Sequence, residues 1–358
     1  MPGRLLVAVV NYNGGRLGDI YWRSVESYAR ETGGPVEAWI VDNASTDGSG
    51  VEAARRTGLR LLRLQRNLGY AGACLAAIKA AEARGEGYRF YACANNDLIV
   101  HPEALRRLHR VLATVDQVFP GGFVASPLLV NGYTGLLDPA GVLVDRWGRT
   151  WGIDVLLRSP GLAERLIRGP RPVVYADGAF IVYSRPAVER GAFMDPRFFL
   201  YYEDAEAGLR AWRLGVPVLL LPLVLGTHYR SASSGGSPTQ VMFEARNRAY
   251  SLARHMGAPG AAASLLWLAT YPIRLLDHTA PRAQHRGSHG HGGGGKLRRL
   301  AAAARGVLGG VAWGLREGVA RLPRPPAVAW QSFLGLLSPR IGLREARGTL
   351  RRLLLGEQ

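Results

Sequence analysis

The sequence predicts an α/β fold: a mostly parallel, doubly wound sheet flanked by helices, followed by a basic helical extension at the C-terminus. Three observations predict it. Short aliphatic or β-branched runs recur through the first 250 residues, each ending in a cluster of amides, carboxylates and glycines. Stretches with helical spacing separate them, the alternation that builds a parallel sheet. Finally, residues 88–98 (Tyr88-Arg89-Phe90-Tyr91-Ala92-Cys93-Ala94-Asn95-Asn96-Asp97-Leu98) pass from an aromatic run into two amides and a carboxylate. A buried parallel strand does this where its carboxyl end opens into a crevice, and ligands of open α/β sheets bind at such ends. Asp97 is therefore a candidate to meet a metal-bound phosphate. Asn95-Asn96-Asp97 reads equally as a turn in which Asp97 caps a helix starting near Pro102.

In chain order, Leu5 to Val10 is a first strand that stops at Asn11-Tyr12-Asn13-Gly14-Gly15, a loop able to approach a ligand closely. The run is too short for the apolar core of a signal peptide, so a cytosolic start is expected. A helix is predicted over about 18–32. Pro35 to Val41 is a second strand, delivering Asp42-Asn43-Ala44-Ser45-Thr46-Asp47-Gly48-Ser49 to the same edge. Capping of the next helix, Gly50 to Gly58, accounts for Ser45 to Ser49 but does not require Asp42. After strand three, Leu59 to Leu64, Arg66 and Asn67 precede Gly69 and Gly72 and open an Ala-rich helix to Ala83. Glycines at such a turn let backbone N–H groups come near an anion or a sugar. No G-x-G-x-x-G or P-loop pattern follows any of these strands, which argues against dinucleotide and P-loop readings. A helix over about 102–115 places Leu105, Leu108 and Leu112 on one face.

Val9-Val10-Asn11-Tyr12-Asn13, Val41 to Ser49, Arg66-Asn67-Leu68-Gly69-Tyr70-Ala71-Gly72 and Asn95-Asn96-Asp97 together resemble the ordered signatures of family 2 glycosyltransferases with the GT-A fold, most of all the rhamnosyltransferase-like branch. The resemblance implies a nucleotide-sugar donor contacted by Asn11, Asn13, Asp42, Asn43, Arg66, Asn67, Gly69, Asn95 and Asn96, and a metal, Mg2+ or Mn2+, held by Asp97. It implies further that Val173 to Tyr183 carries a donor-and-acceptor contact at Asp177-Gly178, that Asp204 is the catalytic base beside Glu203, and that His228 is a metal ligand. The single carboxylate in Asn95-Asn96-Asp97 departs from the family's Asp-x-Asp pattern, so metal should bind mainly together with nucleotide. Read alone, Glu203, Asp204 and Glu206 are first-turn acids favoured by the helix dipole, and a lone histidine at a strand end is commonly structural.

Elsewhere in the second half, Pro120 to Val130 reads as a strand. Residues 131–168 are loop-rich, with Trp147 and Trp151 either lining an acceptor site or closing a small core. Val216 to Leu225 is a buried strand too short to cross a bilayer. Arg246-Asn247-Arg248 lies on a helix, with Arg246 a candidate near the acceptor or behind the first contacts. These readings divide the chain into a catalytic domain over 1–253 (a nucleotide half, 1–118, and an acceptor and base half, 119–253) and a tail over 254–358.

The charge of +18 over 358 residues is uneven, with 16 Lys/Arg against 4 Asp/Glu from Arg254 onward. Such a tail suits a polyanionic surface. Ala261 to Ile273 reads as an interfacial helix, residues 278–295 as a disordered His/Gly-rich loop, and Leu300 to Leu322 as an amphipathic helix with Ala304, Leu308, Val311, Leu315, Val319 and Leu322 in its stripe. Arg340 to Leu355 repeats the style. The tail either lies on an anionic membrane, on the inner face of the cell membrane, or packs on the catalytic domain. The two cysteines, Cys74 and Cys93, both lie in apolar stretches and read as small buried hydrophobes, which argues against a disulfide framework. A basic nucleic-acid-binding protein is the alternative from charge, but zinc-ligand spacing and RNA-binding aromatic motifs are missing, so no nucleic-acid partner is expected. A nucleotidyltransferase shares the nucleotide and metal but does not need a base at Asp204. The leading expectation is an inverting transfer from a UDP- or dTDP-linked sugar to a saccharide or lipid-linked acceptor in surface glycan synthesis.

Overall fold

In the computed structural model, residues 3–138, 141–144, 150–152, 159–167, 169–229, 237–276 and 293–319 are described. Strands β1 (Arg4–Asn11), β2 (Val36–Asp42), β3 (Arg60–Arg63) and β4 (Tyr88–Asn95) alternate with helices α1 (Asp19–Glu31), α2 (Ser49–Thr57) and α3 (Gly69–Ala83). They pair in the order β3-β2-β1-β4, all parallel. Continuous apolar runs form these strands because both faces are covered. Leu6, Ala8 and Val10 pack with Ala73, Ala77 and Ile78 of α3 on one side. Leu5, Val7 and Val9 pack with Tyr21, Val25 and Tyr28 of α1 on the other. Each valine, leucine or isoleucine among them, taken fully out of water, contributes about 1.5–3 kcal/mol.

Beyond β4 the sheet becomes mixed. After the Asn96-Asp97 turn come β5 (Leu98–Val100), α4 (Ala104–Val118), β6 (Val124–Asn131), the β7 (Gly141–Val144) and β8 (Thr150–Gly152) ribbon, α5 (Pro160–Leu166), β9 (Arg171–Pro172), β10 (Phe180–Ser184), α6 (Arg185–Glu189), α7 (Glu203–Arg213) and β11 (Val218–His228). β10 inserts antiparallel between β4 and β6. β11 runs parallel to β6 and receives β5 antiparallel at its end. That register sets Gly226 opposite Val100 and His228 opposite Leu98. A side chain at residue 226 would strike the Ile99 carbonyl, so glycine permits the close pairing that delivers His228 beside Asp97.

The leucine face expected on α4 is buried, with Leu105, Leu108 and Leu112 all at 0% exposure. Its start is capped from another helix. Glu31 accepts hydrogen bonds from the N–H groups of Glu103 (2.7 Å) and Leu105 (3.2 Å). The capping alternative for Asp97 is thereby filled by Glu31.

A helical layer completes the described chain: α8 (Pro238–Met256), α9 (Ala258–Leu276) and α10 (Gly293–Arg316). α8 runs unbroken through residue 253. α10 meets α8 through Gly306, Gly310 and Gly314, where a Cβ would strike the backbone at Met242, Arg246 and Tyr250. This small-residue face, with Ala303 and Val307, is the buried one. Leu308, Leu315 and Val319 of the expected stripe are exposed, as are Leu265 and Leu266 of α9. The stripe follows helical spacing, but the closest approach of two helices selects the smallest residues. Gly293 to Gly295, expected in the loop, open α10; residues 278–292, Trp147 and 340–355 lie outside the described residues. Among the described residues no helix is long and apolar enough to cross a membrane.

Candidate active site

The carboxyl ends of β1, β2 and β4 meet through buried amides. Asn11, fully buried, donates from Nδ2 to Ser49 Oγ (3.0 Å) and Ser45 Oγ (3.2 Å) and accepts at Oδ1 from Asn96 Nδ2 (3.0 Å). Asn13 takes φ +52°, a conformation asparagine tolerates better than most residues, and its Oδ1 accepts the Thr46 N–H at 2.8 Å. Asp42 accepts the Ser45 N–H at 3.2 Å, and its other oxygen lies 3.7 Å from Arg63 Nε. The Ser45 to Ser49 segment thus does more than cap α2, because its hydroxyls also lock β1 to β2.

Asn43 and Asn67 shape the turn into α3. Asn43 Nδ2 donates to Asn67 Oδ1 (2.9 Å), Asn43 Oδ1 accepts the Leu68 N–H (2.8 Å), and Asn67 Oδ1 accepts the Gly69 N–H (2.8 Å). Gly69 sits at φ +72°, where a Cβ would run into the Phe199 carbonyl. Arg66 is exposed at the rim.

Asp97 follows β4 and is 5% exposed. His228 Nε2 lies 3.2 Å from Asp97 Oδ1, a charge contact outside hydrogen-bond alignment that leaves this buried oxygen without a hydrogen-bond partner. Its Nδ1 lies 2.5 Å from Asp138 Oδ2, and Asn95 Nδ2 is 3.4 Å from Nε2. Burial pulls the imidazole pKa down, but Asp138 and Asp97 outweigh it and push the value up to about 10. Sequence reasoning missed Asp138, a single acid in a Gly-rich loop with no spacing to mark it. Octahedral metal–oxygen bonds of about 2.0–2.1 Å put neighbouring ligand atoms about 3 Å apart, so the separation of Asp97 Oδ1 from His228 Nε2 fits one divalent ion that displaces the proton from Nε2. Among the described residues no group of three or more acids, histidines or cysteines forms a complete cage. The donor set fits an ion that also takes substrate oxygens.

Helix α7 begins at Glu203. Asp204 Oδ2 accepts the Gly178 N–H at 3.0 Å, and Oδ1 accepts the N–H of Ala205 at 2.7 Å. Gly178 O accepts from Tyr70 Oη at 2.6 Å, and Ala179 O accepts the Asn95 N–H at 3.0 Å, so the 178–179 backbone links the base candidate to both α3 and β4. Asp177 Oδ1 accepts the Ala179 N–H at 2.8 Å and fixes this turn. Glu203 is buried with Oε2 unpartnered, and burial, reinforced by the Asp204 charge, pushes its pKa up to about 8.

The segment entering α7 is strained. Phe199, Tyr201 and Tyr202 all have φ between +65° and +67°, at a cost of order 1–3 kcal/mol each that surrounding contacts must offset. Arg246 is one such contact: its Nη2 donates to the carbonyls of Arg197 (3.0 Å) and Phe198 (2.9 Å). The structure therefore places Arg246 behind the site.

Residues 6–189 match the family described as Glycosyl transferase family 2. An N-acetylglucosaminyl-diphospho-decaprenol L-rhamnosyltransferase of Mycobacterium tuberculosis is 25% identical over 288 residues, covering 74% of this chain and 90% of the relative. The crystal structure of GalNAc-T7 with UDP, GalNAc and Mn2+ superposes with a TM-score of 0.52 at 14% identity, covering 88% of this chain and 56% of that one, a likeness of fold. With the family match spanning more than half of the chain and the strand-end signatures gathered at one edge, the chain belongs to glycosyl transferase family 2 and is a glycosyltransferase of GT-A architecture.

Proposed function

We infer that the protein is an inverting, metal-dependent transferase that moves a sugar, rhamnose in the first instance, from a UDP- or dTDP-linked donor to a lipid-linked saccharide. The observation that carries the reading is the convergence of Asp97 and His228 at the end of β4 with Asp204 at the start of α7, joined through Gly178-Ala179. The 25% identical relative, whose name specifies rhamnosyl transfer to a diphospho-decaprenol acceptor, supports the choice of sugar and acceptor class.

In this reading Asn13, Asp42 and Asn43 border the nucleoside, and the turn ending at Gly69 offers backbone N–H groups to the sugar. Mg2+ or Mn2+ held by Asp97 and His228 would neutralise charge on the diphosphate leaving group. Asp204 takes the proton from the acceptor hydroxyl as its oxygen bonds to the anomeric carbon, and the bond from that carbon to the diphosphate oxygen breaks. Attack opposite the leaving group inverts the configuration. The Gly178 N–H occupies one lone pair of Asp204 Oδ2 and orients the carboxylate. Exposed Leu265, Leu266, Leu308 and Leu315 in a basic tail support a peripheral membrane contact that would bring the enzyme to its acceptor.

The test is nucleotide diphosphate release from a panel of UDP-, dTDP- and GDP-sugars with Mg2+ or Mn2+, alongside Asp97→Ala and Asp204→Asn. Release from one donor that requires metal and both carboxylates is the expected result. Retained NTP turnover in Asp204→Asn with no sugar transfer would instead favour a nucleotidyltransferase.

A further inference from the structure

We propose that Asn247 is a positioning residue for Asp204, acting through the strained strap of residues 198–202; this rests on the reading of Asp204 as the base. Asn247 is fully buried in α8, so it touches no substrate. Its Nδ2 faces three strap carbonyls, those of Phe198 (3.0 Å), Leu200 (3.0 Å) and Tyr201 (2.7 Å). From the opposite side the Tyr70 N–H, at the start of α3, donates to the Phe199 carbonyl at 2.8 Å.

The pattern of backbone conformations explains the arrangement. Left-handed torsions at Phe199, Tyr201 and Tyr202 turn the carbonyls of residues 198, 200 and 201 toward α8 and leave that of residue 199 facing α3. None of these three residues is a glycine, so the strap does not hold this shape by local preference. The Asn247 amide gathers these carbonyls, sharing that of Phe198 with Arg246 and holding those of Leu200 and Tyr201, and α7 starts immediately afterwards, with Asp204 in its first turn. The strap therefore spans from the turn at Gly69, on the donor side, to the carboxylate that accepts the acceptor proton. Releasing it frees Asp204 to rotate away from the Gly178 N–H without removing any group from the donor pocket.

The consequence is a split between turnover and donor binding. In Asn247→Asp a carboxylate faces three carbonyl oxygens; Asn247→Ala removes the donors without adding charge and serves where the aspartate variant fails to fold. Tyr250→Phe, which loses a hydrogen bond to Glu317 elsewhere on α8, controls for general loosening of the helical layer. Hydrogen–deuterium exchange of residues 199–206 is measured together with kcat and donor KM. Expected for Asn247→Ala are exchange at least tenfold faster in that segment, kcat at least tenfold lower and donor KM within threefold, with Tyr250→Phe close to wild type in kcat. A kcat within twofold of wild type, unchanged exchange, or an equal loss of kcat in Tyr250→Phe would overturn the proposal. If wild-type protein turns over no donor while Asn247→Ala still loosens the strap, the reading of Asp204 as base is what fails.

Discussion

Asp138 Oδ2 sits 2.5 Å from His228 Nδ1 and so aims the opposite ring nitrogen at Asp97. Carboxylate partners of metal-binding histidines fix ring orientation, and their loss typically costs 10–100-fold in metal affinity. Asp138→Asn should therefore weaken Mn2+-supported UDP or dTDP binding by about that factor, read by calorimetric titration. Without nucleotide, metal binding should be weak in wild type as well. Unchanged affinity in the variant would remove His228 from the metal set.

Asp204→Asn keeps the shape of the side chain and loses the proton acceptor. General-base catalysis contributes about 10²–10⁴-fold, so kcat should fall in that range while donor affinity stays within a few-fold. A matching loss of donor affinity would make Asp204 a binding residue.

Glu203 gives the stability a pH dependence. Its carboxyl holds its proton up to about pH 8 in the folded chain, against an ordinary value of 4.5, because it is buried beside Asp204. Between these values the folded state binds more protons than the unfolded one, so this contribution is complete below pH 4.5 and is lost as pH rises through 8. Glu203→Gln removes it. The Tm difference, variant minus wild type, should grow by the equivalent of a few kcal/mol from pH 5 to pH 9; parallel curves would show that the carboxyl ionises normally.

Gly69→Ala meets two obstacles, the positive φ and the Phe199 carbonyl. The variant should lose about 2–4 kcal/mol of stability in denaturant unfolding, with the strap displaced. A loss below about 0.5 kcal/mol, the size of an ordinary surface change, would mean that the strap yields easily.

The exposed leucines of α10 test the membrane contact. Leu308→Ser with Leu315→Ser touches nothing in the site, so donor hydrolysis should be unchanged while flotation with anionic vesicles falls at least several-fold, each leucine burying apolar area in the interface. Equal flotation of wild type and variant would sink the membrane role of this face.

Much of the sheet and its ligand edge was legible because both are written locally. Apolar runs that stop at Asn11, Asp42 and Asn95 mark strands and their carboxyl ends, and Leu105, Leu108 and Leu112 mark a buried helix face. The tail was less legible. Helical spacing picked out Leu308 and Leu315, yet glycines at 306, 310 and 314 face α8, because backbone approach rewards small size and a hydrophobicity pattern does not record it. The strap was not legible at all, since nothing in Phe199-Leu200-Tyr201-Tyr202 announces left-handed torsions.

By itself, the sequence determined the strand ends, the order of their polar clusters and the family these imply, since each is a property of consecutive residues. Tertiary structure alone decided that Asp138 stands behind His228, that Glu31 rather than Asp97 caps α4, and that Asn247 gathers the strap. Each joins residues from 46 to 90 positions apart, and such a pairing depends on register and crossover, which a reading of neighbouring residues does not contain.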